Sequence, residues 1–226
     1  MIRDNLRRIH DRMEEICRRV RRNPADVTLI GVTKYSNVSQ VQEVLDAGLK
    51  DIAENRVQDA EAKFPQLKGT FTKHLIGHLQ TNKVKLALPL FDLIHAVDSI
   101  KCADEIQKQA EKINKTARIL IQVNTSAEEQ KSGITPQEVN SLAKHVAGLK
   151  NVKVEGLMTM GPLTEDREAI RVCFKKLKQV FEELKKQFSD HERVSMKYLS
   201  MGMSGDYDIA LEEGANMIRI GRAIFQ

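Results

Sequence analysis

Short apolar segments alternate with helical segments along almost the whole chain. A strand, a crossover helix and a second strand form a right-handed unit with the two strands parallel. Eight such strands within 226 residues predict an α/β fold, a (β/α)8 barrel in which residues 1–226 form a single domain. An open, doubly wound sheet is the alternative, although no G-x-G-x-x-G motif follows the first strand. The predicted strands are Val27–Thr33, Asp51–Glu54, His74–Gly77, Leu93–Val97, Ala117–Val123, Val152–Met158, Met196–Leu199 and Asn216–Ile220.

The N-terminal segment predicts an amphipathic helix. Apolar residues recur every three or four positions from Ile2 to Val20, and Asn23-Pro24 ends the pattern. We expect this helix to cover the barrel where an eighth crossover helix would lie. The first 22 residues also carry eight arginines interleaved with acidic residues. Nucleic-acid binding through these arginines is an alternative, but no aromatic platform accompanies them, and we predict no nucleic-acid partner.

Local signals place several helix starts. Capping boxes are predicted at Ser39-x-x-Gln42 and at Thr135-x-x-Glu138. The seventh strand should be followed by a helix that begins near Ser204, and a long helix should begin at Thr164. Asp98 and Ser99 are interpreted as helix caps.

Cysteine usage and hydropathy indicate the compartment. The three cysteines, Cys17, Cys102 and Cys173, are far apart in sequence, fall in predicted helices and form no C-x-x-C motif. That pattern is typical of structural thiols in a reducing environment. The sequence shows no signal peptide and no apolar run of about 18 residues. We therefore predict a cytoplasmic protein with no membrane association.

The first strand ends in a lysine. Alternation along Leu29–Lys34 puts Ile30, Val32 and Lys34 on one face. If that face is the barrel interior, Lys34 lies at the C-terminal rim, where barrels of this kind carry their chemistry. An amine that loses water there is deprotonated more easily and can attack a carbonyl. The alternative is a solvated lysine at a strand end.

The eighth strand carries an inward arginine. Ile218 and Ile220 alternate with Arg219, so Arg219 points into the barrel if the isoleucines face the helices. A buried guanidinium needs an acceptor. A structural ion pair with Glu54 or Glu155 is the alternative to a functional role.

The loops after the last two strands are rich in glycine and serine. Small residues let backbone N–H groups approach an anion, and hydroxyls donate to it. These loops often bind phosphate in such barrels. Together with the lysine, they indicate a ligand with both an aldehyde and a phosphate, a description that pyridoxal 5′-phosphate fits. The residues concerned are Ser200, Gly202, Ser204, Gly205, Gly221 and Arg222.

Eight segments distributed along the chain form a distinctive set in this order: Gly31–Tyr35, Ala53–Gln58, Leu75–Lys83, Val123–Thr125, Lys131–Gly133, Glu155–Met160, Leu199–Ser204 and Ile218–Gly221. Together they closely resemble the pyridoxal phosphate homeostasis protein family, single-domain relatives of the alanine racemase N-terminal barrel (fold type III of the pyridoxal phosphate proteins).

The resemblance implies roles for individual residues. Lys34 would carry pyridoxal phosphate as an internal aldimine, and Arg219 would face the pyridine nitrogen. The phosphate would be held by Ser200, Ser204, Gly221 and Arg222, and the ring pocket would be lined by Asn55, His78 and Met158. Arg222 departs from the small hydroxyl residue frequent at this position, which leaves open whether its side chain or its backbone N–H contributes.

The resemblance also implies a function. A non-enzymatic holder of pyridoxal phosphate, active in vitamin B6 homeostasis by buffering the cofactor or delivering it to pyridoxal phosphate-dependent apoenzymes, is the leading interpretation. We expect it to be a monomer. A weak amino-acid racemase or lyase is the first alternative, but only Tyr35, Tyr198 and Tyr207 could supply the tyrosine base of racemases. A Schiff-base aldolase without the cofactor is the second.

Overall fold

Parallel strands close into a barrel in chain order in the computed structural model, which describes residues 1–126, 128 and 132–226. The strands are β1 (Thr28–Val32), β2 (Asp51–Glu54), β3 (Thr72–Leu75), β4 (Leu93–Val97), β5 (Ala117–Gln122), β6 (Val152–Met158), β7 (Val194–Ser200) and β8 (Met217–Ile220). The helices are α1 (Ile2–Arg19), α2 (Val38–Asp46), α3 (Val57–Lys63), α4 (Val84–Leu90), α5 (Ile100–Lys112), α6 (Val139–Ala147), α7 (Arg167–Gln187), α8 (Tyr207–Glu212) and α9 (Arg222–Phe225).

The first and last strands pair with each other. Thr28 lies opposite Met217 and Ile30 lies opposite Arg219 in a parallel register. This pairing leaves no sheet edge, so the predicted barrel is confirmed and the open-sheet alternative is wrong. It also brings the carboxyl ends of β1 and β8 side by side.

Two apolar layers follow from the strand alternation. Ile30 is buried in the cluster inside the barrel, whereas Leu29 is buried in the larger cluster between strands and helices. The predicted facing of β1 is therefore confirmed. The inner cluster also contains Ala53, Leu93, Ala96, Leu120, Met158 and Met217.

Helix α1 packs against α8 and α9. Its apolar face is buried, and the amide of Asn5 donates to the carbonyl of Ile224 at 2.9 Å. Arg22 donates to the carbonyls of Leu211 and Ala215, both at 2.8 Å. The covering role of α1 is confirmed, and Arg22, just after the helix, ties this part of the chain to the backbone at the end of α8 and before β8.

The start of α2 differs from the prediction. Asn37 caps the helix: its side chain accepts from the N–H of Gln40, whose side chain accepts from the N–H of Asn37. The predicted Ser39-x-x-Gln42 box is wrong because a capping box has already formed two residues earlier.

Two later helices begin after their predicted starts. Thr135 donates its N–H and hydroxyl to the Glu138 carboxylate at 2.9 and 2.7 Å. The hydroxyl therefore does not cap the helix, and α6 begins at Val139. The helix predicted from Thr164 begins only after Asp166, whose carboxylate accepts two backbone N–H groups there.

The cysteines lie in α1, α5 and α7, as predicted, and all three are buried thiols. Burial, with a contribution from Asp98, raises the pKa of Cys102 to about 12. A thiol that stays protonated is a poor nucleophile. Among the described residues, no helix is both long and apolar enough to span a bilayer.

Candidate functional site

Lys34 follows β1 at the C-terminal rim. Its side chain is exposed, and its Nζ lies 4.9 Å from the centroid of the Tyr35 ring, which is itself 89% exposed. The expectation that Lys34 loses its water is therefore wrong for the protein as described. The amine is open to a ligand arriving from solvent.

A buried cluster supports the backbone under Lys34. The Thr33 hydroxyl donates to Glu54 Oε1 at 2.6 Å, and Lys63 Nζ donates to the Thr33 carbonyl at 2.7 Å. Lys63 also pairs with the Glu54 carboxylate, which is fully buried. These bonds tie the end of β1 to β2 and α3, so the base of Lys34 is fixed although its tip is exposed.

Arg219 points into the barrel and is 3% exposed. Its Nη1 donates to Ser200 Oγ at 2.7 Å and its Nη2 to the Thr159 carbonyl at 2.8 Å. Burial lowers the pKa of Arg219 to about 10, although the Asp206 carboxylate opposes that shift. The side chain therefore remains charged at neutral pH in a site that disfavours charge.

The alternative of a structural ion pair between Arg219 and Glu54 or Glu155 is wrong. Glu54 is taken by Lys63 and Thr33, and Glu155 pairs with Arg118, whose Nε donates to Oε2 at 2.7 Å. Neutral oxygens hold Arg219 instead. A cation held this way retains the capacity to attract an electron-rich ligand atom.

The loop after β7 is a tight turn. Gly202 has φ +93°, and a Cβ there would lie 2.5 Å from the Cβ of Ala210, so only glycine fits without rearrangement. Helix α8 begins at Tyr207 rather than near Ser204, because the Asp206 side chain accepts the N–H of Met203 and closes a turn before the helix. The predicted helix start near Ser204 is therefore wrong.

Ser204 instead links the loop after β7 to the turn after β8. Its Oγ accepts the N–H of Ala223 at 3.4 Å, which leaves its own O–H to donate to an anion. Gly221 ends β8 beside β1, where an added Cβ would meet the Val32 carbonyl at 3.4 Å. The Arg222 side chain is exposed at the start of α9. Four of the predicted residues, Lys34, Ser204, Gly221 and Arg222, thus lie on neighbouring strand ends.

The side chain of Ser200 contacts residues inside the barrel and not this loop. It is fully buried, and its Oγ accepts from Arg219 and lies 3.2 Å from His95 Nδ1. Met158 is 1% exposed within the inner cluster, below the rim. Both residues are thus part of the barrel interior.

Asn55 and His78 line a shared cavity of about 430 Å³ beside the rim. His78 Nδ1 is 3.5 Å from Asp98, so this carboxylate faces the histidine and does not cap a helix. The cap of α5 is Ser99, whose hydroxyl accepts a backbone N–H at 3.2 Å, as predicted. The backbone of Gly77 allows the two loops to meet.

Replacing Gly77 with alanine should damage this part of the rim. A Cβ at this position would lie 2.0 Å from the carbonyl oxygen of Asn55, so Gly77→Ala should lower the free energy of unfolding by roughly 2–3 kcal/mol. Denaturant titration measures this loss. Gly205→Ala is the matched control, because nothing lies within 4 Å of its added Cβ. Equal stabilities for the two variants would contradict the prediction.

The sequence matches the family described as alanine racemase, N-terminal domain, over residues 5–226. A relative from Aquifex aeolicus, named pyridoxal phosphate homeostasis protein, is 40% identical over 223 residues, covering 98% of this chain and 96% of the relative. A protein of the same name from Haemophilus influenzae is 34% identical over 227 residues, covering 99% and 94%. The chain belongs to the pyridoxal phosphate homeostasis protein family.

One solved relative outside these two is PipY of Synechococcus elongatus. Its structure without pyridoxal phosphate superposes with a TM-score of 0.89 at 30% identity, and its structure with pyridoxal phosphate bound gives 0.86 at 29%. Each comparison covers 100% of both chains. The family resemblance and the racemase-like barrel predicted from the sequence are confirmed, while Lys131 of the quoted segments lies outside the described residues.

Pattern reasoning missed four interior polar residues of this homeostasis-family barrel. Asp51, His74 and His95 are hydrogen-bonded in series toward Ser200, and Thr159 supplies a carbonyl to Arg219. A signal existed for His95, because it is the one polar residue in the otherwise apolar segment Leu93–Val97. Buried polar groups of this kind need partners, which here come from the neighbouring strands β2, β3 and β4 and, for His95, from β7.

Proposed function

We propose that this protein holds pyridoxal 5′-phosphate through a covalent bond to Lys34 and acts in homeostasis of that cofactor. The observation that carries the proposal is PipY, which shares the fold over its full length and has been solved with pyridoxal phosphate bound. The names of the curated relatives support the same role.

The chain offers a partner for each reactive part of this ligand. When bound, pyridoxal phosphate supplies an aldehyde, a ring nitrogen and a phosphate. The exposed Lys34 amine would hold the aldehyde carbon through a C=N bond, with the aldehyde oxygen and the two amine protons lost as one water molecule. The Ser204 hydroxyl and the backbone at Gly221 would hold the phosphate, because the small residues there permit close approach.

Arg219 favours a holding role over catalysis. Its guanidinium stays charged and would face the ring nitrogen, where it disfavours a second positive charge. An unprotonated ring is a weak electron sink, so carbanion chemistry at a bound amino acid would lack its main stabiliser. The protein would then release the cofactor by exchange with another amine or with water.

Borohydride trapping tests the covalent site. The protein is loaded with pyridoxal phosphate, reduced and digested, and the modified peptide is mapped by mass spectrometry. We expect loss of the yellow absorbance on reduction and one modified residue, Lys34. A stable adduct on any other lysine would overturn the assignment.

Ser204→Ala tests the phosphate site. Losing one hydrogen bond to a charged group should weaken binding of pyridoxal phosphate about tenfold. Pyridoxal, which has no phosphate, should bind the variant and the parent equally. The measurement is an absorbance titration with each aldehyde, and an equal loss for both would contradict a phosphate contact.

Delivery to other proteins is tested separately. The loaded protein is mixed with a pyridoxal phosphate-dependent apoenzyme, and its activation is compared with that by free cofactor at equal concentration. Faster activation from the loaded protein supports delivery. Activation no faster than the free cofactor would leave buffering as the role.

A racemase or lyase is the second candidate, favoured by the match to the alanine racemase N-terminal domain and by the Tyr35 ring beside Lys34. Exchange of the Cα proton of amino acids for deuterium would reveal it. The exchange should require Lys34 if this candidate is right, and its absence across the common amino acids would exclude it.

A further inference from the structure

A series of side-chain hydrogen bonds crosses the barrel interior from β2 to β8. Asp51 Oδ1 is 3.0 Å from His74 Nε2, His74 Nδ1 is 3.0 Å from His95 Nε2, and His95 Nδ1 is 3.2 Å from Ser200 Oγ. Arg219 Nη1 completes the series at 2.7 Å from Ser200. The two imidazoles and the serine are at most 1% exposed. We call this series the relay.

The proton inventory gives the relay a direction. An Asp51 carboxylate only accepts, so His74 donates from Nε2. With a single proton on its ring, which the relay requires, His74 accepts at Nδ1. His95 must then donate from Nε2. Burial, with His74 and Arg219 nearby, holds the pKa of His95 well below its usual value, so its ring has a single proton and accepts at Nδ1. Among the contacts of the described residues, the Ser200 hydroxyl is the donor that fills that position.

In this direction, the single hydroxyl proton of Ser200 is already donated within the relay. It accepts from Arg219 and donates its one proton to His95, and it is fully buried. Phosphate oxygens accept hydrogen bonds, and Ser200 has no second hydroxyl proton to donate to them. The loop hydroxyl of Ser204 has no such commitment to a second acceptor among the contacts described.

We propose that Asp51, His74 and His95 are positioning residues that hold Ser200 as an acceptor for Arg219, so that Ser200 acts on the ligand through the guanidinium and not through the phosphate. The relay removes the rotational freedom of the hydroxyl and directs its lone pair at Nη1. The Thr159 carbonyl fixes Nη2 from the other side. The part that concerns the ligand rests on the proposed function.

The direction of the relay is tested first, in the protein dialysed free of cofactor. Nitrogen-15 spectra of the imidazoles at neutral pH distinguish the two neutral tautomers and the doubly protonated ring. We expect His74 and His95 both to carry their proton on Nε2, with the signals assigned by their loss in His74→Gln and His95→Gln. A proton on Nδ1 of His95 would reverse the relay and overturn the proposal.

The role of Ser200 is tested by titrating each variant with pyridoxal phosphate and with pyridoxal. Ser200→Ala and His95→Phe should each weaken the binding of pyridoxal phosphate and of pyridoxal by the same factor, about tenfold. The two substituted residues act on the ring side of the ligand, which both aldehydes share. Ser204→Ala should weaken the binding of pyridoxal phosphate but not that of pyridoxal. His95→Gln, whose amide can accept from Ser200 and donate to His74, should recover part of the loss seen with phenylalanine.

The outcomes separate this proposal from the proposed function. A Ser200→Ala protein that lost affinity for pyridoxal phosphate alone would return Ser200 to the phosphate site and overturn the proposal, as would a His95→Phe protein with unchanged affinities. A parent protein that bound neither aldehyde would defeat the proposed function, while the imidazole spectra would still decide the relay.

Discussion

Lys34→Ala should abolish retention of pyridoxal phosphate, weakening its binding at least about 100-fold, or about 3 kcal/mol. The reason is chemical: the Lys34 amine is the atom that would bond to the aldehyde, and the remaining contacts are ordinary hydrogen bonds. The variant should keep its fold, because a solvent-exposed side chain contributes within about 0.5 kcal/mol to stability. Absorbance titration and denaturant unfolding measure the two quantities.

Two matched variants make this result specific. Lys34→Arg keeps the positive charge but cannot condense with an aldehyde, so it should fail like alanine. Lys50→Ala removes an exposed lysine just before β2, at the opposite end of the barrel, and should bind like the parent. Retention by Lys34→Arg would mean that charge and not covalency holds the ligand.

Much of the fold is predictable because the strands consist largely of apolar residues. β2, β4 and β6 have the predicted bounds, and β4 and β6 end immediately before the polar residues Asp98 and Thr159. The facing of Ile30 and Arg219 follows from the same alternation. A lysine at the rim and an arginine inside the barrel, on adjacent strands, could therefore be placed from the sequence.

Other features depend on competition between local partners. Asn37 and Ser39 are both able to cap α2, and only the structure shows that the earlier residue does so. From the sequence alone, Glu54 and Glu155 were equivalent candidate partners for Arg219. In the structure, Glu54 faces outward and pairs with Lys63 of α3. His74 and His95 lie on the neighbouring strands β3 and β4, but the contact from His95 to Ser200 joins β4 to β7, which strand order along the chain does not predict.

Burial of Arg219 lowers the stability of the folded protein, and we expect this residue to contribute to ligand binding instead. The lowered pKa of Arg219, about 10, corresponds to about 3 kcal/mol of net cost for burying its charge. That cost applies in full at pH 7, because the guanidinium is protonated in the folded and unfolded states alike. It is relieved only as the pH rises through 10 toward the usual value. A residue that is costly to fold around must be retained for another reason.

Arg219→Met should therefore leave the cofactor-free protein as stable as the parent or more stable by about 1–2 kcal/mol, since replacing a buried charge by a similar apolar volume is often stabilising. The gain is limited because the Thr159 carbonyl loses its donor, whereas Ser200 can still donate to His95. The same variant should bind pyridoxal phosphate about tenfold or more weakly. Denaturant unfolding and absorbance titration give the two values. A large loss of stability with unchanged binding would make Arg219 a structural residue, whereas opposite signs would identify it as one kept for its ligand.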